Sequence, residues 1–203
     1  MSDLHFYNTI ERPAVAELKD RGSRFIAYAY PVTTVEAAKK HLEALKKEHP
    51  KANHHCFAYR LGLDKNLFRV SDDGEPSGTA GRPILGQIDS KLLTDTLIGV
   101  VRYFGGTLLG VPGLIQAYKS AAIMALQLTP IVQKSINVNY ELHFDYTRMN
   151  EVMMVVKQMS CTVLSQEMNL FCVMNIGIPK SKLDETLYRL GDLHTVEVRK
   201  TSR

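Results

Sequence analysis

No run in this 203-residue chain approaches the roughly 18 apolar residues that a membrane helix needs. The opening Met1-Ser2-Asp3-Leu4-His5-Phe6 has neither a basic stretch nor an apolar one, so no signal peptide is expected. Cysteine is scarce. The three present are too few and too scattered for a disulfide framework, which points to a reducing, cytoplasmic setting. No second Cys/His pair stands at zinc spacing. No Lys-Ser/Thr follows a glycine run, so there is no Walker phosphate loop. No glycine run has the strand-helix context and downstream acid of a dinucleotide fingerprint. Low-complexity segments and solenoid periods are also missing. The sequence therefore offers no cofactor and no metal by motif.

What is present is an ordinary globular composition, 45% hydrophobic and 23% charged, long enough for one large or two small domains. The formal charge of +4, with seven histidines, permits an anionic partner without requiring one.

Residues 14–18 read as extended. Asp20-Arg21-Gly22-Ser23 then turns the chain into Arg24–Tyr30 as a hairpin. Thr33 and Glu36 have capping-box spacing ahead of a helix carrying Val35, Ala38, Leu42 and Leu45, closed by Pro50. His55–Leu61 and Leu67–Val70 read as strands, Pro83 opens a short helix, and Thr96–Tyr103 is a strand buried on both faces. Pro112 stands as the first residue of a long helix with a stripe of Leu114, Ile115, Tyr118, Ala121, Ala122, Ala125 and Leu126. Gln133–Asn137 reads as a linker, into which the preceding strand can extend.

Beyond it come a strand over Asn137–Phe144 and a helix with a stripe of Met149, Val152, Met153, Val156 and Met159. Two strands meet near Asn169. Ser181 caps a helix with Leu183, Leu187 and Leu190, which stops at Gly191, and a last strand follows over His194–Val198. That order, βαββαβ, is the split βαβ of ferredoxin-like domains. The expected class is α+β: an N-terminal α/β sandwich over 1–135 and a ferredoxin-like domain over 138–203.

Two motifs stand apart from this scaffold. One is Ser71-Asp72-Asp73-Gly74-Glu75-Pro76-Ser77-Gly78-Thr79-Ala80-Gly81-Arg82-Pro83. The other is Arg102-Tyr103-Phe104-Gly105-Gly106-Thr107-Leu108-Leu109-Gly110-Val111-Pro112-Gly113-Leu114. Both are too polar and too rich in glycine for plain core, and each glycine run needs positive φ or a close backbone approach. They are expected to share one surface holding Asp72, Asp73, Glu75, Arg82, Arg102 and the Gly105-Gly106 turn.

Three readings of the acids are open. Asp72, Asp73 and Glu75 can pair with Arg82 and Arg102 in a structural or partner-binding network, hold a magnesium ion, or perform acid-base chemistry. Ser77 and Thr79 read as turn hydroxyls that cap amides. The second motif leads from a strand into a helix N-terminus, a position that favours an anion; otherwise its glycines only let the helix pack on the sheet. His54 and Cys56 share one strand face and His55 lies on the other, so the three cannot form one metal cluster. Arg24-Phe25, Tyr59-Arg60, Phe68-Arg69 and Arg102-Tyr103-Phe104 interleave cations with aromatics, as nucleic-acid binders and half-buried sheets both do. The C-terminal Arg199-Lys200-Thr201-Ser202-Arg203 reads as a mobile basic tail.

The two motifs, preceded by His54-His55-Cys56-Phe57-Ala58-Tyr59-Arg60, resemble the YigZ/IMPACT family. The resemblance implies an N-terminal domain with the fold of the second domain of a small-subunit ribosomal protein. It implies a C-terminal domain like the ferredoxin-like domains of elongation factor G. Eukaryotic members of that family restrain a starvation-sensing kinase by competing for its ribosome-linked activator. One departure stands out: Gln116 precedes Ala117-Tyr118 where the family commonly has arginine, and Lys119 follows as a candidate charge. His54-His55 also replaces the commoner His-Asn. The expected function is regulation of translation by binding a ribosome, an RNA or a translation-linked protein. The binding residues would be Asp72, Asp73, Glu75, Ser77, Thr79, Arg82, Arg102, Tyr103, Gly105, Gly106 and Lys119. The alternative is a hydrolase or phosphoryl-transfer enzyme using Asp72, Asp73 and Glu75 with the glycine turn.

Overall fold

A computed structural model of the chain describes residues 4–201. It is an α+β protein of two compact units. One unit is Tyr7–Lys134; the other runs from Ser135 onward and includes the N-terminal residues through Phe6. Met1–Asp3, Ser202 and Arg203 lie outside the described residues. No described helix is long and apolar enough to cross a membrane.

In chain order the first elements are β1 (Phe6–Ile10), β2 (Ala14–Asp20), β3 (Ser23–Pro31), α1 (Val35–Glu48), β4 (His54–Leu61) and β5 (Leu67–Ser71). There follow α2 (Gly81–Ser90), β6 (Thr96–Tyr103), α3 (Gly110–Gln127) and β7 (Ile131–Ser135). Five strands form an antiparallel sheet in the order β2-β3-β6-β4-β5, and β1 pairs with β7.

The β2–β3 hairpin turns on Arg21 and Gly22, both at positive φ (45° and 81°), the signature of a two-residue turn that matches strand twist. β6 is the central strand and is buried from Thr96 through Arg102. Helices cover both faces. Leu97 and Val101 pack in the clusters that include Leu45 of α1 and its neighbour Leu42. A Cβ on Gly99 would come within 2.8 Å of Leu45 Cδ1, so this glycine lets α1 seat. On the opposite face Ile98 and Val100 meet Ile84 and Ile88 of α2 and Ala117, Ala121, Ala122 and Ala125 of α3. The facing sheet residues Ala27, Ala29 and Ala58 are equally small, so α3 packs close to the strands.

The C-terminal elements are β8 (Asn137–Asp145), α4 (Met149–Gln158), β9 (Thr162–Glu167), β10 (Phe171–Pro179), α5 (Leu183–Gly191) and β11 (Glu197–Lys200). Their sheet order β11-β8-β10-β9, with all neighbours antiparallel, is that of a ferredoxin-like fold. The core is apolar: Leu142, Phe144, Val152, Val156, Met174, Ile176, Ile178 and Leu190.

Several sequence expectations shift. Thr34, not Thr33, caps α1, its hydroxyl accepting from Ala37 N at 3.1 Å. α2 begins at Gly81 rather than Pro83, and Pro112 is the third residue of α3 rather than the first. Ile115 is 38% exposed, and Ala117 takes its place in the buried stripe. The strand before the expected linker extends into it: β7 runs through Ser135, held by its pairing with β1, which is the part a local reading does not show. Lys180–Lys182 form a 3₁₀ turn, so Ser181 does not cap α5, and α5 includes Gly191. β11 starts at Glu197, so Arg199 and Lys200 sit in a strand beside β8 rather than in a tail.

Candidate functional site

The site grows from one row across the sheet. Phe25 of β3, Arg102 of β6 and His54 of β4 stand side by side in register. Arg102 is 5% exposed, with its guanidinium carbon 5.3 Å from the centre of the Phe25 ring and 5.6 Å from that of Phe104. Its Nη1 donates to Glu75 Oε1 at 2.6 Å and its Nη2 to Ser23 Oγ at 3.3 Å. The Tyr118 hydroxyl of α3 donates to the same Glu75 oxygen at 2.7 Å, and His54 Nε2 lies 3.8 Å from it. Cys56 Sγ, one row along, is 3.3 Å from the Tyr118 oxygen and 3.0 Å from the Asp72 carbonyl oxygen. Burial pushes the Cys56 thiol up to about 12, against a smaller downward pull from the Tyr118 hydrogen bond. The thiol therefore stays protonated at neutral pH and is a poor nucleophile. Burial also raises Tyr118, which remains a neutral donor.

The acidic loop is organised from within by Asp72. Its Oδ1 accepts from Ala80 N at 3.0 Å and Gly81 N at 2.8 Å, and its Oδ2 from Gly78 N at 2.8 Å. Burial works to raise this carboxyl, but the three amides and Arg82 outweigh it and hold the group below the usual carboxylate range. Asp72 thus fills the start of α2 from eight or nine residues upstream. Thr79 Oγ1 closes the same loop on Pro76 O at 2.7 Å. Asp73, at φ 41°, ties the loop to β4: its Oδ2 accepts from His55 N at 2.7 Å, and its carbonyl meets His54 Nδ1 at 2.8 Å. Gly81 has to be glycine, because a Cβ there would lie 2.8 Å from Ser71 N.

The glycine loop is held by the hairpin. A Cβ on Gly105 would sit 1.9 Å from the Gly22 carbonyl carbon, and Gly105 N donates to Ser23 Oγ at 3.2 Å. Phe104 N donates to Asn53 Oδ1 at 2.8 Å. Between the two loops lies a cleft of about 450 Å³. Glu75, Arg102 and His54 line it with Leu109 and Leu114, and Phe104, Leu108 and Val111 are exposed around it. No side chain caps α3, and Gly110 enters that helix with φ +70°.

The structure brings Glu75 and Arg102 into contact at the base of this cleft. Asp72 and Thr79 serve the loop itself, and Asp73 serves β4. Ser77, Arg82 and Lys119 are exposed, and Gly106 has open space around it. Tyr103 belongs to the other face of the sheet, where its hydroxyl meets His49 Nδ1 at 2.9 Å. Because β6 alternates, Arg102 and Tyr103 cannot share one site. Among the described residues, no group of three His, Cys, Asp or Glu side chains is placed to hold a metal ion. Sequence reasoning missed Ser23 and Phe25 as partners of Arg102 and Tyr118 as a partner of Glu75. The available signal was Tyr118 itself, since a tyrosine in an alanine stripe needs a partner for its hydroxyl.

This five-stranded sheet, covered by helices on both faces and carrying the paired loops, is an Impact N-terminal domain, whose family model matches residues 21–126. The chain belongs to the IMPACT family. It is 34% identical over 180 residues to the IMPACT family member YigZ of Escherichia coli (strain K12), across 88% of this chain and 87% of that protein. It is 36% identical over 149 residues to the IMPACT family member YvyE of Bacillus subtilis (strain 168), across 73% and 69%. The crystal structure of a hypothetical protein superposes with a TM-score of 0.77 at 29% identity, covering 98% of this chain and 99% of that one.

Proposed function

We propose that this protein acts in the cytoplasm as a binding regulator of translation, and that the cleft between its two loops is where it meets a macromolecular partner. One observation carries the choice of surface. Leu108 is 83% exposed beside Phe104 and Val111, so an apolar rim surrounds a buried ion pair. The acids support binding rather than catalysis: Asp72 is engaged by three amides and Glu75 by Arg102 and Tyr118. Membership of the IMPACT family supports the link to translation, through the role the family resemblance implies.

Sedimentation of the wild-type chain with ribosomes from cells tests this reading, with Leu108→Asp as the surface variant. Wild type should pellet with ribosomes, and the variant should stay in the supernatant. If a ribosomal RNA is the contact, association weakens with salt. Absence of ribosome and RNA binding, together with turnover of a small substrate abolished by Glu75→Gln, would establish the enzyme instead.

A further inference from the structure

The cleft carries two unfilled hydrogen-bonding features besides its apolar rim. The first is the start of α3. The opening amides of a helix have no partner within it, Pro112 removes one of them, and no side chain caps the rest. Gly110 and Val111 line the cleft. The second is independent of that helix: Arg102 Nε is buried and has no hydrogen-bond partner, although Nη1 and Nη2 are both used. Arg102 and Phe104 both line the cleft, and the Phe104 ring, 44% exposed, has its centre 5.6 Å from the guanidinium carbon, so a ligand that reaches Nε has to displace that ring. A buried donor without an acceptor is a place where a ligand atom gains more than water gives.

The charge balance selects the ligand. Arg102 is neutralised by Glu75 at 2.6 Å, so what remains is the positive end of the α3 dipole and one spare N–H. That suits a single negative charge; a phosphate dianion would bring a second charge with no cation left to balance it. Leu109, Leu114 and Leu108 provide walls for an apolar group attached to that charge.

Resting on the reading that this cleft is the partner interface, we infer that it receives the C-terminal end of a partner polypeptide. The chain-terminal carboxylate accepts from the first amides of α3 and from Arg102 Nε. The last side chain, an apolar one, lies against Leu109 and Leu114. This is the capture of a chain end by backbone donors, with side-chain specificity set by the pocket.

The probe is acetyl-Ala-Ala-Leu with a free carboxylate, titrated into the full chain while backbone amide resonances are followed. Saturable shifts at Phe104, Gly110 and Val111 are expected, with roughly tenfold weaker binding of the C-terminal amide, as for one lost charge-assisted contact. Leu108→Asp, at an exposed position, should weaken binding by a similar factor. The double variant Arg102→Gln with Glu75→Gln removes both charges of the pair together and should reduce the preference for acid over amide, leaving the part due to the start of α3. Equal binding of acid and amide overturns the inference, as do shifts confined to residues outside the two loops. Hexanoate binding as tightly as the peptide would make this a small-acid site instead, and tighter binding of phenyl phosphate would overturn the monoanion argument. Ribosome association without peptide binding ends this inference and leaves the interface reading standing; peptide binding without ribosome association supports this inference and makes a protein other than the ribosome the partner.

Discussion

Two helices of the same unit begin after glycine-rich loops, and they solve the same problem differently. The start of α2 is filled from inside the protein: Asp72 accepts from the amides of Gly78, Ala80 and Gly81. The start of α3 has no such carboxylate and opens on a cleft with an apolar rim. A loop whose anion is part of the chain is a structural device. A loop whose helix entry is left open is where an outside group can be recognised. The acidic motif looked like the chemical one in sequence, yet its first acid is fully used by its own backbone.

Substitutions at the two loops should separate accordingly. The largest effect belongs to the contact that joins them. Arg102→Ala leaves Glu75 buried without its cation and should cost about 3–5 kcal/mol in denaturant unfolding. A loss under about 1 kcal/mol would mean that Glu75 reaches solvent more freely than its 3% side-chain exposure indicates.

Gly105→Ala comes next, at about 3 kcal/mol, because the new methyl would overlap the Gly22 carbonyl and the hairpin must move. Gly106→Ala is the control: it has open space but φ +83°, so only the backbone strain of about 1 kcal/mol applies. Equal losses at the two glycines would remove the close approach as the reason for the motif.

Asp72→Asn should cost about 2 kcal/mol at pH 7, since asparagine keeps one acceptor oxygen, uncharged, and turns an NH2 donor toward a backbone N–H in place of the other. The sign with pH is fixed. The folded-state pKa of Asp72 lies below the usual value, so its contribution is complete above the unfolded pKa of about 3.9 and is lost as pH falls through the lower folded value. The difference in Tm between wild type and Asp72→Asn should therefore narrow in acid. A difference that is constant from pH 7 to pH 2 would show that the carboxylate charge plays no part.

Leu108→Asp should change stability least, within about 0.5 kcal/mol, because the side chain is 83% exposed. Any loss of partner binding then reads as surface chemistry. The contrast between Asp72→Asn, which lowers Tm, and Leu108→Asp, which does not, is the sharpest check on the difference between the two helix entries.

Much of the scaffold was legible because local chemistry and tertiary pairing agree. The Arg21-Gly22 turn, the buried run of β6 and the alanine stripe of α3 each follow from periodicity and turn residues alone. Ends of elements were less so. Thr33 and Thr34 offer the same hydroxyl, and only the path of the backbone decides that Thr34 accepts from Ala37. β1 and its pairing with β7 escaped because the hydrogen bonds come from a strand more than a hundred residues away. In the site, the two motifs announced themselves by composition, but composition does not say which acid meets which base.

The amino-acid sequence by itself determined the α+β class, the βαββαβ order of the C-terminal unit, the identity of the two loops and the absence of a recognised cofactor motif. Those are properties of spacing and residue type, which are local. Only the tertiary structure decided that Glu75 pairs with Arg102 while Asp72 does not, and that Tyr103 turns to the opposite face from its neighbour. Only it showed that Tyr118, fifteen residues beyond Tyr103, completes the buried pair. The physical reason is strand register. A shift of one residue on β6 would exchange the faces of Arg102 and Tyr103, and that register is fixed by pairing with β3 and β4 together, not by the residues of β6 alone.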